Sequence, residues 1–498
     1  MLWLIIINGL LVSSAMDNSR TLLPFACLLV LVSSWATAQL PDDSPRMTPL
    51  VRVISTVEPA VVALFIPDPK DTRRFSSGSG VIIHPDGYAL TNDHVVQNNP
   101  GFAVLRGQAP LRFRVVGRSP EKDLAVIQLI GDSAPMPTVA LGRSNDVLVG
   151  ETVAVVGNPG GRGTIVTSGI VSSMGTHLTA PNGLWASQSD SRWRDDFIQY
   201  DAATNRGNSG GPVINMEAEL IGIVAALIPS EQNSNFAVPI DRARRMIERI
   251  VEPELIHNKM VGLALDPYAD KAVVIEVRPE SPAAMAGFVA GDILQSVGDH
   301  ALHHAADWTF ALDKMLPIGK PLAIDLQRGD EKLSVSVLPT RLEARTATPD
   351  IDKKTIVNGL EYEFFEGEYK LIPDFAKLKP TRKGTAELLD LTKIAGKRED
   401  YFALRLRGYM EVPEAGLYRL HLTSDDGSRL RFGGELFLDH DGNHPPMTLS
   451  RLCRLQSGLH PVEIEYFEGY GEHILQVKLE RIDVPGEPKV PAFKHEAG

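Results

Sequence analysis

Cysteine is nearly missing from this chain of 498 residues: only Cys27 and Cys453 occur. Cys27 lies in an apolar N-terminal stretch read below as a removable leader, so the processed chain keeps one thiol and no intrachain disulfide. Cys453, close to Leu452 and Leu455, reads as a small core residue. Packed cores rather than covalent staples must hold the protein together. Basic runs are missing too. Lys and Arg number 50 against 62 Asp and Glu, a net charge of −12 spread along the chain. Phosphate binding needs concentrated Lys and Arg, which excludes nucleic acid as the main partner. The apolar stretches at residues 2–12 and 22–32 fall short of the ~20 residues that span a membrane as a helix. The 43% apolar and 22% charged residues exclude a wholly disordered or collagen-like chain. At roughly 150 residues per domain the length points to about three domains.

The second apolar stretch has the anatomy of a secretory signal. Met16 serves as a start, Arg20 as the positive flank, LLPFACLLVLV as the apolar segment and Ala36-Thr37-Ala38 as the cleavage site before Gln39. Residues 1–38 are read as a signal region cleaved near Ala38, and the protein as exported, to a periplasm or the cell surface. An uncleaved anchor built from both stretches is the rival reading. Cys27 sits too early, with Pro24 and Phe25 before it, to suit a lipoprotein signal.

Residues 45–252 carry short β-branched runs punctuated by Gly, Pro and Asn. Among them are VVALFI (61–66), LAVIQLI (124–130), TVAVVG (152–157) and LIGIVAALI (220–228). Such a pattern predicts an all-β barrel or sandwich. Ala243, Met246, Ile247, Ile250 and Val251 then repeat at helical spacing and predict a closing helix. Residues 257–342 form a smaller mixed α+β unit, with a helix over 307–316. A polar linker occupies 343–357. Residues 358–484 hold 14 of the 27 Phe and Tyr residues in runs that alternate at period two, which predicts a second all-β domain. Residues 485–498 read as a loose tail.

The strongest chemical signal is Gly207-Asn208-Ser209-Gly210-Gly211-Pro212. A serine becomes a nucleophile when a base takes its proton, and the resulting oxyanion needs N–H donors. Glycines around Ser209 let the backbone aim such donors at one spot. Upstream stand His94 in TNDHVV and Asp123 in EKDLAV. The order His…Asp…Ser is that of the chymotrypsin-type triad. Three local motifs in this order on an all-β domain outweigh the chance presence of the same residue types.

On these residues residues 51–250 resemble the HtrA (Deg) serine proteases. SGSGVIIHPDGYALTNDHVV (77–96), DLAVIQL (123–129), VAVVGNPGG (153–161), IQYDAATNRGNSGGPV (198–213) and NFAVPID (235–241) carry the likeness. The resemblance implies a mainly β chain that begins with a chymotrypsin-type double β-barrel, its site in the cleft between barrels. It implies Ser209 as nucleophile, His94 as general base and then acid, and Asp123 as the group that orients the imidazole. The oxyanion hole falls at Gly207, Asn208 and Ser209, with the N–H groups of Gly207 and Ser209 as donors. No catalytic cofactor is implied. Asn235 stands where the family usually has Gly, on the strand expected to line the specificity pocket with Phe236 and Ala237, and Tyr200 replaces a common Thr. With Phe236, Ala237 and Val238 nearby, the expected preference is a small aliphatic residue before the cut.

The second unit resembles a PDZ domain, on Val261-Gly262-Leu263-Ala264, SPAAMAG (281–287) and GDIL (291–294). That implies β-augmentation by a C-terminal peptide whose carboxylate is captured around Val261, Gly262 and Leu263. The third resembles the protective-antigen-type β-sandwich, on GLEYEFFEG (359–367), residues 402–434 and GLHPVEIEYFEG (458–468). Members often bind glycans, and lectin members hold Ca²⁺ on adjacent aspartates. Asp425 and Asp426 occupy that position, and their hard oxygens suit Ca²⁺; a tight turn using Asx chemistry accounts for them equally. Asp439, Asp441 and Asn443 are weaker candidates. His300, His303 and His304 beside Asp299 and Asp307 match no metal-ligand motif and read as an exposed turn leading into a helix.

The functional expectation is an exported serine endopeptidase that degrades unfolded or damaged proteins, recruited or regulated through its PDZ domain and held to glycans or a surface by the third domain. Family resemblance adds a homotrimer. The competing expectation is a surface adhesin or chaperone-like scaffold with weak or conditional protease activity.

Overall fold

A computed structural model describes residues 44–496 apart from 69–73, 98, 132–134, 162, 177–196, 228–233, 349–354 and positions 388, 397, 399, 445, 472 and 485. The leader and its cleavage site lie outside the described residues. Helix α1 (Pro49–Val57), N-capped by the Thr48 hydroxyl, leads into six antiparallel strands that close a barrel in the order β1-β2-β3-β6-β5-β4. They are β1 (Val61–Pro67), β2 (Phe75–Ile82), β3 (Tyr88–Thr91), β4 (Gly101–Val104), β5 (Leu111–Ser119) and β6 (Leu124–Ile130), with the one-turn helix α2 (Asp93–Val96) after β3. The apolar runs are buried on both faces of the barrel wall: Val62, Leu64, Val81, Leu90, Val126 and Ile127 are all fully buried.

A short strand β7 (Ala140–Leu141) precedes the second barrel, made of β8 (Thr152–Gly157), β9 (Ile165–Thr176), β10 (Phe197–Tyr200), β11 (Pro212–Ile214), β12 (Glu219–Leu227) and β13 (Asn235–Pro239). Pairing of β11 with β12 closes the ring β11-β8-β9-β10-β13-β12, and β7 adds in parallel to β12. Helix α3 (Ile240–Val251) buries Ala243, Met246, Ile247, Ile250 and Val251 against the barrels. This is the expected apolar face. Helix α4 (Pro253–His257) then runs into the mixed unit.

That unit contains a sheet ordered Leu263–Leu265, Ala272–Val277, Ile293–Val297, Leu322–Arg328, Glu331–Val337, flanked by α5 (Pro282–Met285) and α6 (Ala305–Met315). Helix α6 docks it onto the first barrel. Phe310 stacks on Tyr88 at 4.2 Å between ring centroids. Below the rings the buried Asp313 carboxylate accepts from the Tyr88 hydroxyl at 2.8 Å and the Arg114 guanidinium at 2.6 Å, and pairs with His257 Nε2 at 3.0 Å. Burial alone would push this carboxyl up, but the bonds from His257, Tyr88 and Arg114 hold it below the usual carboxylate range.

The third domain is a sandwich. Three strands, Met447–Leu455, Gly416–Ser424 and Leu475–Arg481, face a larger sheet centred on Phe402–Val412 and Gly458–Glu468. Its inner faces pack Leu404, Leu406, Leu420, Leu422, Ile464 and Tyr466. Two readings of its flanks need correction. Residues 493–496 form a strand, Phe493–Glu496, paired with Tyr409–Met410 and with Ile356–Asn358. Phe493 is buried and the four residues alternate inward and outward, so burial and an open strand edge order a segment read as loose. The linker is pinned at its start as well, because the Arg345 N–H donates to Arg454 O and the Thr348 N–H to Leu459 O.

Candidate active site

The loop 207–211 joins the second barrel to the cleft and is clamped from the first. Ser79 on β2 donates its N–H to Ser209 O at 2.8 Å and its hydroxyl to Gly207 O at 2.7 Å, while that hydroxyl accepts the N–H of Asn158 at 3.0 Å. Thr91 on β3 donates its hydroxyl to Ser79 O at 2.8 Å. The fit admits no side chain at Gly210: a Cβ there would lie 2.2 Å from Ser79 O and 2.3 Å from Thr91 Oγ1, at φ +83°. Inside the loop the N–H groups of Asn208, Gly210 and Gly211 are bonded to Asn205 O, Val224 O and Asn208 O. Among the described residues no acceptor takes the N–H of Gly207 or of Ser209. These two donors, on either side of a buried Asn208, are what an oxyanion hole requires.

His94 sits in the first turn of α2, half exposed toward the cleft. Its Nδ1 lies 2.9 Å from both carboxylate oxygens of Asp123, and its backbone N–H donates to Asp123 Oδ1 at 3.0 Å. Asp123 follows the turn Pro120–Lys122 in a left-handed conformation, φ +50°. Asn92 fixes it by donating its side-chain amide to Asp123 O at 2.9 Å. Nδ1–H donation to the carboxylate leaves Nε2 as the basic nitrogen facing the cleft. The hydrogen bond to Asp123 raises the His94 pKa above 6.5, burial works against the shift, and the charges of Asp123 and Asp93 add to it. Gly78 is the thin layer between the two halves of the site. An atom added there would lie 2.6 Å from the Val95 side chain and 3.2 Å from Ser209 O.

Other predicted positions take different places. Asn235 is buried and donates its side-chain amide to Ala202 O at 3.0 Å, while Phe236 and Ala237 are 2% and 0% exposed. Ala237 belongs to the core of the second barrel, and the Phe236 ring packs edge-on against Phe197 at 6.5 Å between centroids. In the PDZ unit the Val261 and Gly262 N–H groups both donate to one carboxylate oxygen of Glu254, each at 2.8 Å. That donor pair already has an acceptor of its own chain. Leu263 is buried beside it. In the third domain Asp426, at φ +58°, accepts the Gly469 N–H at 2.7 Å and the His444 N–H at 3.3 Å. Burial pushes its carboxyl up to about 6. Asp439 and Asp441 pair with Arg429. Asp307 accepts the N–H groups of His303 and His304 at 2.7 and 3.2 Å and so caps α6. The histidine turn is thus a helix start packed near the barrel, with His84 Nε2 4.0 Å from Asp307.

Three groups escape sequence reading. Ser79 hides in a glycine-rich SGSG run that signals only a turn. Glu254 looks like a solvated residue of a short helix. Asp400, Glu468 and His473 offer ligand atoms within 4.8 Å of one another, yet their distances along the chain match no motif.

Comparison with known proteins bears on the whole arrangement. The trypsin-like peptidase domain family matches residues 78–223, the PDZ domain family 259–338 and the PA14 domain family 357–491. A probable periplasmic serine endoprotease DegP-like of Brucella suis biovar 1 (strain 1330) is 32% identical over 287 residues, 54% of this chain and 54% of its own. The periplasmic serine endoprotease DegP of Escherichia coli (strain K12) is 33% identical over 303 residues, 57% of this chain and 60% of its own. The putative serine protease HhoB of Synechocystis sp. (strain ATCC 27184 / PCC 6803 / Kazusa) is 33% identical over 295 residues, 55% of this chain and 68% of its own. The match thus spans about half the length of the first of these relatives. Two closed barrels followed by a PDZ domain, together with these relatives, make the chain a member of the HtrA/DegP family of serine proteases that carries a PA14 domain at its C-terminal end.

Proposed function

We propose that this protein is an exported serine endopeptidase that cleaves unfolded or damaged proteins. The observation that carries the reading is the coupling of His94 to Asp123 at 2.9 Å beside a serine loop whose Gly207 and Ser209 N–H groups have no acceptor among the described residues. In this reading His94 Nε2 takes the Ser209 hydroxyl proton as Oγ attacks the scissile carbonyl, and the Gly207 and Ser209 N–H groups hold the oxyanion. Imidazolium, stabilised by Asp123, then gives the proton to the leaving amine, and water repeats the cycle to release the acyl group. No cofactor takes part. The backbone of β13 at Asn235–Ala237 lines the substrate cleft, with a small aliphatic residue favoured before the cut.

The PDZ domain presents the Val261–Leu263 segment to C-terminal peptides of substrates. The third domain tethers the enzyme to surface glycans, with Asp425 and Asp426 supplying hard oxygens for Ca²⁺. The protein works in a periplasm or at the cell surface, as a homotrimer. The test is proteolysis of a casein-like unfolded substrate beside Ser209→Ala. Loss of a triad member lowers turnover by roughly 10⁴–10⁶-fold. Equal cleavage by both proteins refutes the assignment, and cleavage by neither, with C-terminal peptides added, favours the adhesin or scaffold.

A further inference from the structure

A cavity of about 580 Å³ that no single domain forms is lined by Gly262 and Glu254, beside the Val261 and Gly262 N–H pair. One wall is the PDZ groove, with Leu263 on its strand and Trp308 and Leu312 on α6. The opposite wall is the third domain, which contributes Phe437, Arg451 and Arg454, and the ends of α3 and α4 complete it. The Glu254 carboxylate on α4 sits at its edge with both donors at 2.8 Å. It shows what these donors accept: a carboxylate oxygen held by adjacent backbone N–H groups, as a peptide C-terminus would be. The third domain in turn grips the end of α4, since Arg454 donates from Nε to Leu255 O at 2.8 Å and from its terminal nitrogen to Ile256 O at 3.1 Å. Carbonyls at a helix C-terminal end attract a cation in this way, and Leu255 O shares the Arg454 guanidinium with a long bond from the Asn258 N–H at 3.4 Å.

We propose that this cavity is a composite site for the free C-terminus of a protein chain, in which Glu254 is a built-in competitor and Arg454 of the third domain holds it in place. The proposal rests on the PDZ reading above and adds a wall and a gate to it. A C-terminal carboxylate enters by replacing Glu254 on the Val261 and Gly262 N–H groups. Releasing Glu254 frees α4, which Arg454 otherwise ties to the third domain. Apparent affinity for peptides is therefore divided by the fraction of molecules in which Glu254 is out.

The test uses the full chain with Ser209→Ala, titrated by fluorescence anisotropy. The probe is an N-terminally labelled decapeptide pool of random sequence with free C-termini, beside the same pool amidated. Two charge-assisted hydrogen bonds are lost in Glu254→Ala, so binding of the free-carboxylate pool rises at least about tenfold. Glu254→Gln gives a smaller rise and Arg454→Ala a severalfold one, while the amidated pool does not gain. Melting temperatures of the variants serve as the folding control. Unchanged affinity in a folded Glu254→Ala overturns the competitor role, and unchanged affinity in Arg454→Ala overturns the part of the third domain. An equal gain by the amidated pool shows that the site does not read a carboxylate and overturns the proposal. If neither the parent nor a folded Glu254→Ala binds the free-carboxylate pool, the PDZ reading itself fails.

Discussion

Ser79→Ala tests whether the first barrel sets the serine loop. Its hydroxyl links Gly207 O to the Asn158 N–H at 2.7 and 3.0 Å, and both Ser79 and Asn158 are buried. Removing it strands a buried N–H, worth about 1–3 kcal/mol, so the melting temperature falls by several degrees at roughly 2–4 °C per kcal/mol in a domain of this size. The catalytic effect is separable. Without its anchor the Gly207–Asn208 peptide can rotate, and Gly207 loses the backbone angles that aim its N–H, one peptide upstream, at the place where the oxyanion forms. Deleting an oxyanion donor outright costs roughly 10²–10³ in kcat. A loosened donor that still visits the right geometry costs less, on the order of 10–10². The assay is steady-state cleavage of an unfolded substrate well below the melting temperature, with kcat and KM separated. A drop in kcat at constant KM is expected, because the contact matters to the transition state and not to substrate capture. Full kcat in a folded Ser79→Ala would refute the clamp, and a rise in KM alone would assign Ser79 to binding.

Other perturbations probe the same architecture. Asp123→Asn keeps the shape of the pair but misdirects the imidazole, and turnover should fall roughly 10⁴-fold in the same assay. Cleavage requires neutral His94, whose pKa is raised chiefly by the Asp123 hydrogen bond; the acid limb of the kcat/KM profile should therefore have its midpoint above pH 6.5, with activity lost as pH falls through it. Asp313 has a lowered pKa, so its contribution to stability is complete above pH ~4 and lost as pH falls further. Asp313→Asn should remove that acid-side loss and lower the melting temperature at pH 7, as read by calorimetry across pH. Phe493→Ala should cost about 3–5 kcal/mol, measured by urea unfolding of the third domain's tyrosine signal.

An all-β barrel or sandwich was legible because its strands are written as short β-branched runs whose residues are buried, as Val62, Leu64, Val126 and Ile127 are, and the family resemblance narrowed this to a double barrel. The helix at Ala243–Val251 was legible from its periodicity. At the site, His94, Asp123 and Ser209 are each marked by local residue patterns, and the structure adds the left-handed backbone that turns Asp123 to His94. What escaped depends on tertiary contact. Ser79 and Glu254 act through single hydrogen bonds to backbone groups, which leave no trace in spacing or hydropathy. Phe493–Glu496 is too short to show a period, and its partner strand, Phe402–Val412, lies about 80 residues upstream. The bond from the buried Asn235 amide to Ala202 O is likewise a tertiary contact that residue patterns do not reveal.

The pairing of Ile356–Asn358 with Phe493–Glu496 has a kinetic side. It joins the first described strand of the third domain to the last, so the sheet edge cannot form until residues 493–496 have been synthesised. Contacts of such long sequence separation form slowly, because the loop between them must close first. Both barrels and the PDZ unit lie upstream and are free to fold as the chain emerges. The protease therefore reaches its own fold before its C-terminal partner does, and the wall that Arg454 and Phe437 provide arrives last. For that interval a newborn molecule has its catalytic barrels without the domain that holds α4.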